Sequence, residues 1–371
     1  MGKRLYRIAG MLFLMVCVGA GVPGLVAFSS PAPRVEVVFC LDTTGSMGGL
    51  IEGAKQKIWS ISNQIVSGSP TPDLYIGLVG YRDIGDLYVT RVYPLDDDLD
   101  GVYENLMSFR ADGGGDTPEH VNRALHDAVH SISWSDESET LKLIFLVGDC
   151  PPHMDYGDGY HYRDVCQAAV RQDIIINTIQ CGDYFETVSY WKDIARLGEG
   201  EYAAIAQEGG MSFIETPFDD ELSRLNMMLE KTVVPFGSAA DRKSYEDRRA
   251  KVSAMEPSMA AERAAYKSAD AEMGAYDLID ALDEGTVKLE DVKDRELPPE
   301  LRNMTLKEKR AYLKEIEEER EVLMRKIGEL SAERASFIEQ KLEAETEGDS
   351  FDEVVQRFIE EQAADKGIHY R

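Results

Sequence analysis

Two hydrophobic rhythms alternate along the chain from residue 34 to residue 236. Val35, Val37, Val38, Phe39 and Leu41 form a short, nearly continuous apolar run, as do Leu74 to Tyr81, Leu141 to Val147, Ile174 to Ile179 and Tyr202 to Ala206. Such runs fit strands covered on both faces of a parallel sheet. Between them apolar residues recur at three- and four-residue spacing, the stripe of a helix lying on a sheet. One stripe runs Met47, Leu50, Ile51, Ala54, Ile58, Ile61, Ile65; others follow at Leu99 to Phe109, Val121 to Ile132, Val165 to Val170, Val188 to Leu197 and Leu222 to Val233. The segment LYVTRVYPL after Gly85 and Asp86 reads as an antiparallel edge strand. Strands separated by helices throughout predict an α/β domain over 34–236, a doubly wound, mostly parallel sheet flanked by helices.

Past Phe236 the rhythm of strands stops. Residues 237–371 are rich in Ala, Glu, Lys and Arg and predict an all-α, partly coiled-coil region. Thr305 and Glu308 form a capping box opening a helix of nearly forty residues, with a candidate coiled coil over 305–345. Ile316, Leu323, Leu330 and Phe337 make one seam, but the other runs Leu313, Arg320, Ile327, Arg334 and Lys341. Its charges weaken a long coil and favour a helical hairpin or a partner-dependent pairing. Ser350 and Glu353 open a last amphipathic helix, and Asp283 to Pro299 read as a linker.

The amino terminus adds a targeting segment. Lys3, Arg4 and Arg7 precede an uncharged stretch from Ile8 to Phe28, so residues 1–29 read as a signal peptide or an N-terminal membrane anchor. This places the protein in the periplasm or outside the cell, with membrane contact only through an uncleaved N-terminus. In that setting Cys40, Cys150, Cys166 and Cys181 permit disulfides in three pairings, or stay as small buried hydrophobes. The formal charge of −28 argues against a nucleic-acid partner, because phosphate binding needs a basic face.

Three strand ends carry candidate chemistry. Asp42, Thr44 and Ser46 alternate on a Gly-containing turn between the first strand and the first helix, where open α/β sheets place their ligands. Oxygen donors of this kind suit a hard divalent cation. The second stretch, Gly113-Gly114-Gly115-Asp116-Thr117-Pro118, reads as a close-approaching loop with Thr117 capping the next helix. Asp149 ends the most apolar strand, where burying a lone carboxylate is costly without a partner. Arg82 and Asp83 read as a surface ion pair or as part of the site, and His153 as a rim residue or, alternatively, a base or ligand.

The Asp42-Thr43-Thr44-Gly45-Ser46 run resembles the metal-ion-dependent adhesion site of von Willebrand factor type A domains, with Thr44 in place of a serine. That resemblance implies that Asp42, Thr44, Ser46, Thr117 and Asp149 hold a divalent cation, Mg²⁺ first and Mn²⁺ or Ca²⁺ as alternatives, with Asp116 as a rival or additional ligand. It implies a protein partner that presents an acidic side chain to the open coordination position. Self-association through the C-terminal helices is a second expectation. No enzyme is expected: Thr44-Gly45-Ser46-Met47-Gly48 lacks the first glycine of a serine-hydrolase elbow. The competing readings are metal-assisted hydrolysis at the same site and a structural coiled-coil protein with a vestigial domain.

Overall fold

The computed structural model describes residues 32–370 except 116, 271, 272, 275 and 343–348, so the expected signal peptide or anchor over 1–29 and Asp116 lie outside the described residues. Six strands, β1 (Arg34–Asp42), β2 (Asp73–Tyr81), β3 (Thr90–Asp96), β4 (Leu141–Gly148), β5 (Ile174–Cys181) and β6 (Glu199–Ile205), form one sheet. Their order is β3-β2-β1-β4-β5-β6, with β3 antiparallel at the edge and all other pairs parallel. Asp42 pairs with Tyr81, Leu41 with Val147 and Cys181 with Ile205, so the carboxyl ends of five strands finish at one level.

Side chains of a strand alternate between its two faces. Val35, Val37, Phe39 and Leu41 therefore enter the apolar layer under α1 (Gly48–Val66) and α2 (Leu99–Met107). Val38 and Cys40 enter the layer under α3 (Val121–His130), α4 (Tyr162–Val170) and α5 (Phe185–Leu197). Cys40, Cys166 and Cys181 are buried and Cys150 is half-buried, all four as free thiols, so none of the three pairings is formed.

The remaining helices are α6 (Asp219–Glu230), α7 (Ala239–Val252), α8 (Pro257–Asp270), α9 (Leu278–Asp283), α10 (Leu306–Leu342) and α11 (Phe351–Ala363). The expected boundary at residue 236 does not separate two cores. Helix α6 packs on α8 and α10, while α11 returns to the sheet beside α1 and touches β4, β5 and β6. Phe351, Val354, Val355, Phe358 and Ile359 lie in the same apolar layer as Phe39 and Phe145. The expected linker is likewise packed, with Leu289 and Leu297 buried against Leu301 and Leu313.

Helix α10 runs 37 residues, as its capping box predicts: Thr305 N donates to Glu308 Oε2 at 2.7 Å and Glu308 N to Thr305 Oγ1 at 3.3 Å. Its charged seam faces its own chain. Arg320 pairs with Asp277 at 2.7 Å and Asp280 at 2.9 Å, and Arg334 with Asp219 and Glu262. The charges that weaken a coiled coil are thus the ones that fasten α10 to α6, α8 and α9. No described helix is long and apolar enough to cross a membrane.

Candidate metal centre

β1 carries Asp42 into the protein with no solvent exposure. The chain then turns on this carboxylate: Asp42 Oδ1 accepts from Thr44 N at 2.8 Å and from Thr44 Oγ1 at 2.6 Å, the side-chain-to-backbone turn that Asp favours. Thr44 Oγ1 lies 3.4 Å from Ser46 Oγ, which is exposed. Asp42 Oδ2 is buried and, among the described residues, has no hydrogen-bond partner.

The glycine-rich loop docks directly on this turn. Asp112 N donates to Thr43 O at 3.1 Å and Gly45 N to Gly113 O at 3.3 Å. Gly113 and Gly114 have φ of +81° and +84°, a conformation that glycine adopts freely. A Cβ on Gly114 would stand 3.5 Å from both Thr44 Cβ and Glu119 Oε1, which shows how closely these groups meet.

The helix expected to open at Thr117 opens instead at Val121, with His120 Nδ1 accepting from Arg123 N at 3.3 Å. The cause is a backbone bridge to the β4–α4 loop: Glu119 N donates to Pro151 O and His153 N to Glu119 O, which holds residue 119 extended. Thr117 is exposed and, among the described residues, makes no side-chain hydrogen bond to the Asp42 turn. The bridged residue, Glu119, is 2 % exposed and, among the described residues, leaves Oε2 without a hydrogen-bond partner.

Asp149 leaves β4 beside Asp42. A Cβ on Gly148 would come within 2.4 Å of Tyr81 Oη and 3.1 Å of Asp42 Cβ, so only glycine admits this approach. Asp149 Oδ2 accepts from Gln207 Nε2 at 2.8 Å, and the same amide reaches Ser46 O at 3.3 Å. Thr187 Oγ1 holds the Asp149 carbonyl at 2.8 Å, while Asp149 Oδ1 is buried and, among the described residues, has no hydrogen-bond partner.

Arg82 and Asp83 are buried rather than exposed and take separate partners. Arg82 donates to Thr43 O at 3.1 Å and Arg110 O at 2.7 Å; Asp83 Oδ2 accepts from Tyr156 Oη at 2.6 Å. His153 is also buried, not at a rim: its ring stacks on Tyr156 at 4.1 Å, Nδ1 lies 2.8 Å from Asp155 Oδ1, and Nε2 lies 3.6 Å from Asp83 Oδ2.

Burial pushes the Asp42 carboxyl up to about 7; the Asp149 charge adds to this and the Thr44 hydrogen bonds oppose it. Burial, reinforced by Asp42, Asp83, Asp86 and Asp149, pushes Glu119 up to about 9. Buried like charges raise one another's pKa, and either protons or a cation relieve them. Among the described residues no three His, Cys, Asp or Glu side chains converge as a metal cage. A centre here would thus draw on hydroxyls and water beside its two nearest carboxylates.

Glu119 and Gln207 escaped the sequence reading. Glu119 directly follows Thr117-Pro118, which drew attention as a helix cap. Gln207 stands alone after β6, where no periodicity marks it.

Residues 36–217 match the family model of the von Willebrand factor A domain. Mouse von Willebrand factor A domain-containing protein 7 is 35% identical over 123 residues, which are 32% of this chain and 12% of that protein. A putative ariadne-like RING finger protein of Acanthamoeba polyphaga mimivirus is 21% identical over 183 residues, 45% of this chain and 18% of the other. The matched stretches thus span less than a fifth of these relatives. Among solved structures, a conserved hypothetical protein BatB from Bacteroides thetaiotaomicron aligns with a TM-score of 0.35 at 13% identity, over 60% of this chain and all of that one. Proximal thread matrix protein 1 from the mussel byssus, with a zinc-occupied MIDAS motif, aligns with a TM-score of 0.38 at 14% identity, over 48% of this chain and 43% of that one.

Proposed function

Because residues 36–217 match the family model of the von Willebrand factor A domain, a module that typically mediates protein interactions, we propose that this chain binds a protein partner through a divalent cation. The observation that carries this reading is the pair of orphaned buried oxygens, Asp42 Oδ2 and Asp149 Oδ1, at adjacent strand ends. Carboxylate oxygens buried without donors are costly, and a hard cation is the group that oxygen donors of this kind suit.

Asp42, Thr44 and Ser46 would hold the cation from the first turn, and Asp149 from the third strand end, directly or through water. Thr117 is the second-loop donor that the family resemblance supplies, and Mg²⁺ is the favoured ion. When bound, the cation supplies positive charge for an acidic side chain of the partner. The chain's own residues do the rest. Gln207 fixes one oxygen of Asp149 so that the other points free, and Thr44 fixes Asp42 in the same way. These hydrogen bonds would orient the carboxylates toward a cation.

We read the site as a binding centre and not a catalytic one. We also place it in an exported protein, on the strength of the basic start and the uncharged Ile8–Phe28 stretch. Thermal melting with and without millimolar Mg²⁺ or Mn²⁺ tests the cation. The wild type should melt higher with cation and Asp149→Ala should not respond; equal response in both would remove the centre from this position.

A further inference from the structure

The proposed cation centre sits between two patches of exposed apolar side chains. Ile84 and Leu87, 56% and 80% exposed, stand on the β2–β3 turn to one side of β1. Met154, Tyr184 and Phe185, at 41%, 40% and 85%, stand beyond β4 and β5 on the other. These five are most of the large apolar side chains that the described residues expose, and all follow strands whose carboxyl ends finish level with Asp42. Scattered exposed apolar residues need no explanation, but their concentration around one polar centre marks a contact surface.

The charge around these patches is one-sided. The loops after β2, α2, β4 and β5 carry Asp86, Asp112, Asp155, Asp158 and Asp183, with Asp83 buried beneath them. Against them stand Arg82 and Arg110 on the loops and Arg91 and Arg123 beside them; the Arg82 guanidinium is buried, donating to Thr43 O and Arg110 O and covering the Tyr88 ring, which Arg91 also overlies, and Arg123 is paired with Asp127. Contacts tie the loops into one surface: Tyr156 reaches Asp83, and Gly114 N reaches Asp86 at 3.2 Å. An acidic partner would be repelled by this field at long range, even if one of its carboxylates suited the cation.

We propose that the surface around the cation centre docks a basic protein segment that presents a single carboxylate between apolar side chains. The carboxylate reaches the cation, the apolar side chains cover Ile84 and Leu87 on one side and Met154 and Phe185 on the other, and Lys or Arg side chains meet the ring of aspartates. This rests on the cation reading above and adds the chemistry of the partner to it.

The test is selection of a displayed random peptide library on the full chain in Mg²⁺, with the enriched peptides then measured by fluorescence anisotropy. Enriched sequences should hold one Asp or Glu among Lys, Arg, Leu and Phe, and their association should slow as salt rises. The double variant Leu87→Ser/Phe185→Ser changes only highly exposed side chains; it should bind these peptides about tenfold more weakly, the size of loss expected for apolar anchors, while taking up Mg²⁺ as the wild type does. No enrichment, acidic flanking residues, or equal binding by the double variant would overturn the proposal. Basic, apolar peptides that bind equally in EDTA and weaken in the double variant would instead overturn the cation reading and leave the surface standing.

Discussion

The Gln207 side-chain amide donates to Asp149 Oδ2 at 2.8 Å, and two residues later Gly209 O accepts from Phe351 N at 2.8 Å. One short segment after β6 therefore joins the candidate centre to the last helix of the chain. Gln207→Ala should leave the fold intact and weaken Mg²⁺ or Mn²⁺ binding about tenfold, in the range for groups that orient metal ligands. Calorimetric titration beside a denaturation curve separates that loss from unfolding.

Gly148 is the second point where the centre depends on a residue that would not itself hold the cation. The added methyl of Gly148→Ala would press on Tyr81 Oη and Asp42 Cβ, both on rigid strands. The substitution should destabilise the protein by about 1 to 3 kcal/mol, the usual consequence of overpacking, and displace Asp42. Urea denaturation of the two proteins reads the first effect, and cation titration the second.

The strand ends Asp42 and Asp149 were legible because each is a polar residue that interrupts a buried apolar run, a contrast that local sequence displays. Glu119 was not, since its burial depends on Pro151 and His153, which join it through backbone bonds only after β4 has folded beside β1. Arg320 and Arg334 misled for the same reason: as seam positions they read as flaws in a coil, whereas their acidic partners lie 40 to 115 residues away in the chain. The six strands and their flanking helices followed from periodicity. What periodicity could not give was the order in which helices are laid over the sheet, so the pattern places the helix opened by Ser350 and Glu353 in the all-α region although Phe351 packs 6.2 Å from Phe39.

That arrangement makes the last helix part of the domain's own core. Phe351→Ala should cost about 3 to 5 kcal/mol, as for other fully buried aromatic side chains. Residues 30–236 alone should fail to give a cooperative transition, because the sheet face under α11 would be bare. Thermal unfolding followed by circular dichroism checks both; a cooperative melt of the shorter chain near that of the full one would show α11 to be dispensable.

A buried ion network fastens α8 to the domain. Arg263 donates to Asp100 at 2.7 and 2.9 Å and to Glu230 at 2.9 Å, with Lys267 at 3.6 Å from Asp100. Burial alone would raise the Asp100 carboxyl, but Arg263 and Lys267 outweigh it and hold it well below the usual range. Folded Asp100 thus refuses a proton that the unfolded chain accepts near pH 4, so its contribution is complete above that pH and lost as pH falls further. Asp42 and Glu119, with raised values, act in the opposite direction in cation-free protein. The comparison of wild type with Asp100→Asn isolates the effect: the variant should be less stable at pH 7 and lose less stability between pH 5 and 2. Arg263→Ala, which strands two buried carboxylates, should cost about 3 to 5 kcal/mol at pH 7.

The central claim is that a divalent cation sits between the ends of β1 and β4. Calorimetric titration of Mg²⁺ and Mn²⁺ into residues 30–371, beside Asp42→Ala and Asp149→Ala, tests it most directly. The account predicts saturable binding of one cation by the wild type and its loss in both variants, each still folded by circular dichroism. A folded wild type that takes up no cation, or variants that bind as tightly as it does, would contradict the claim.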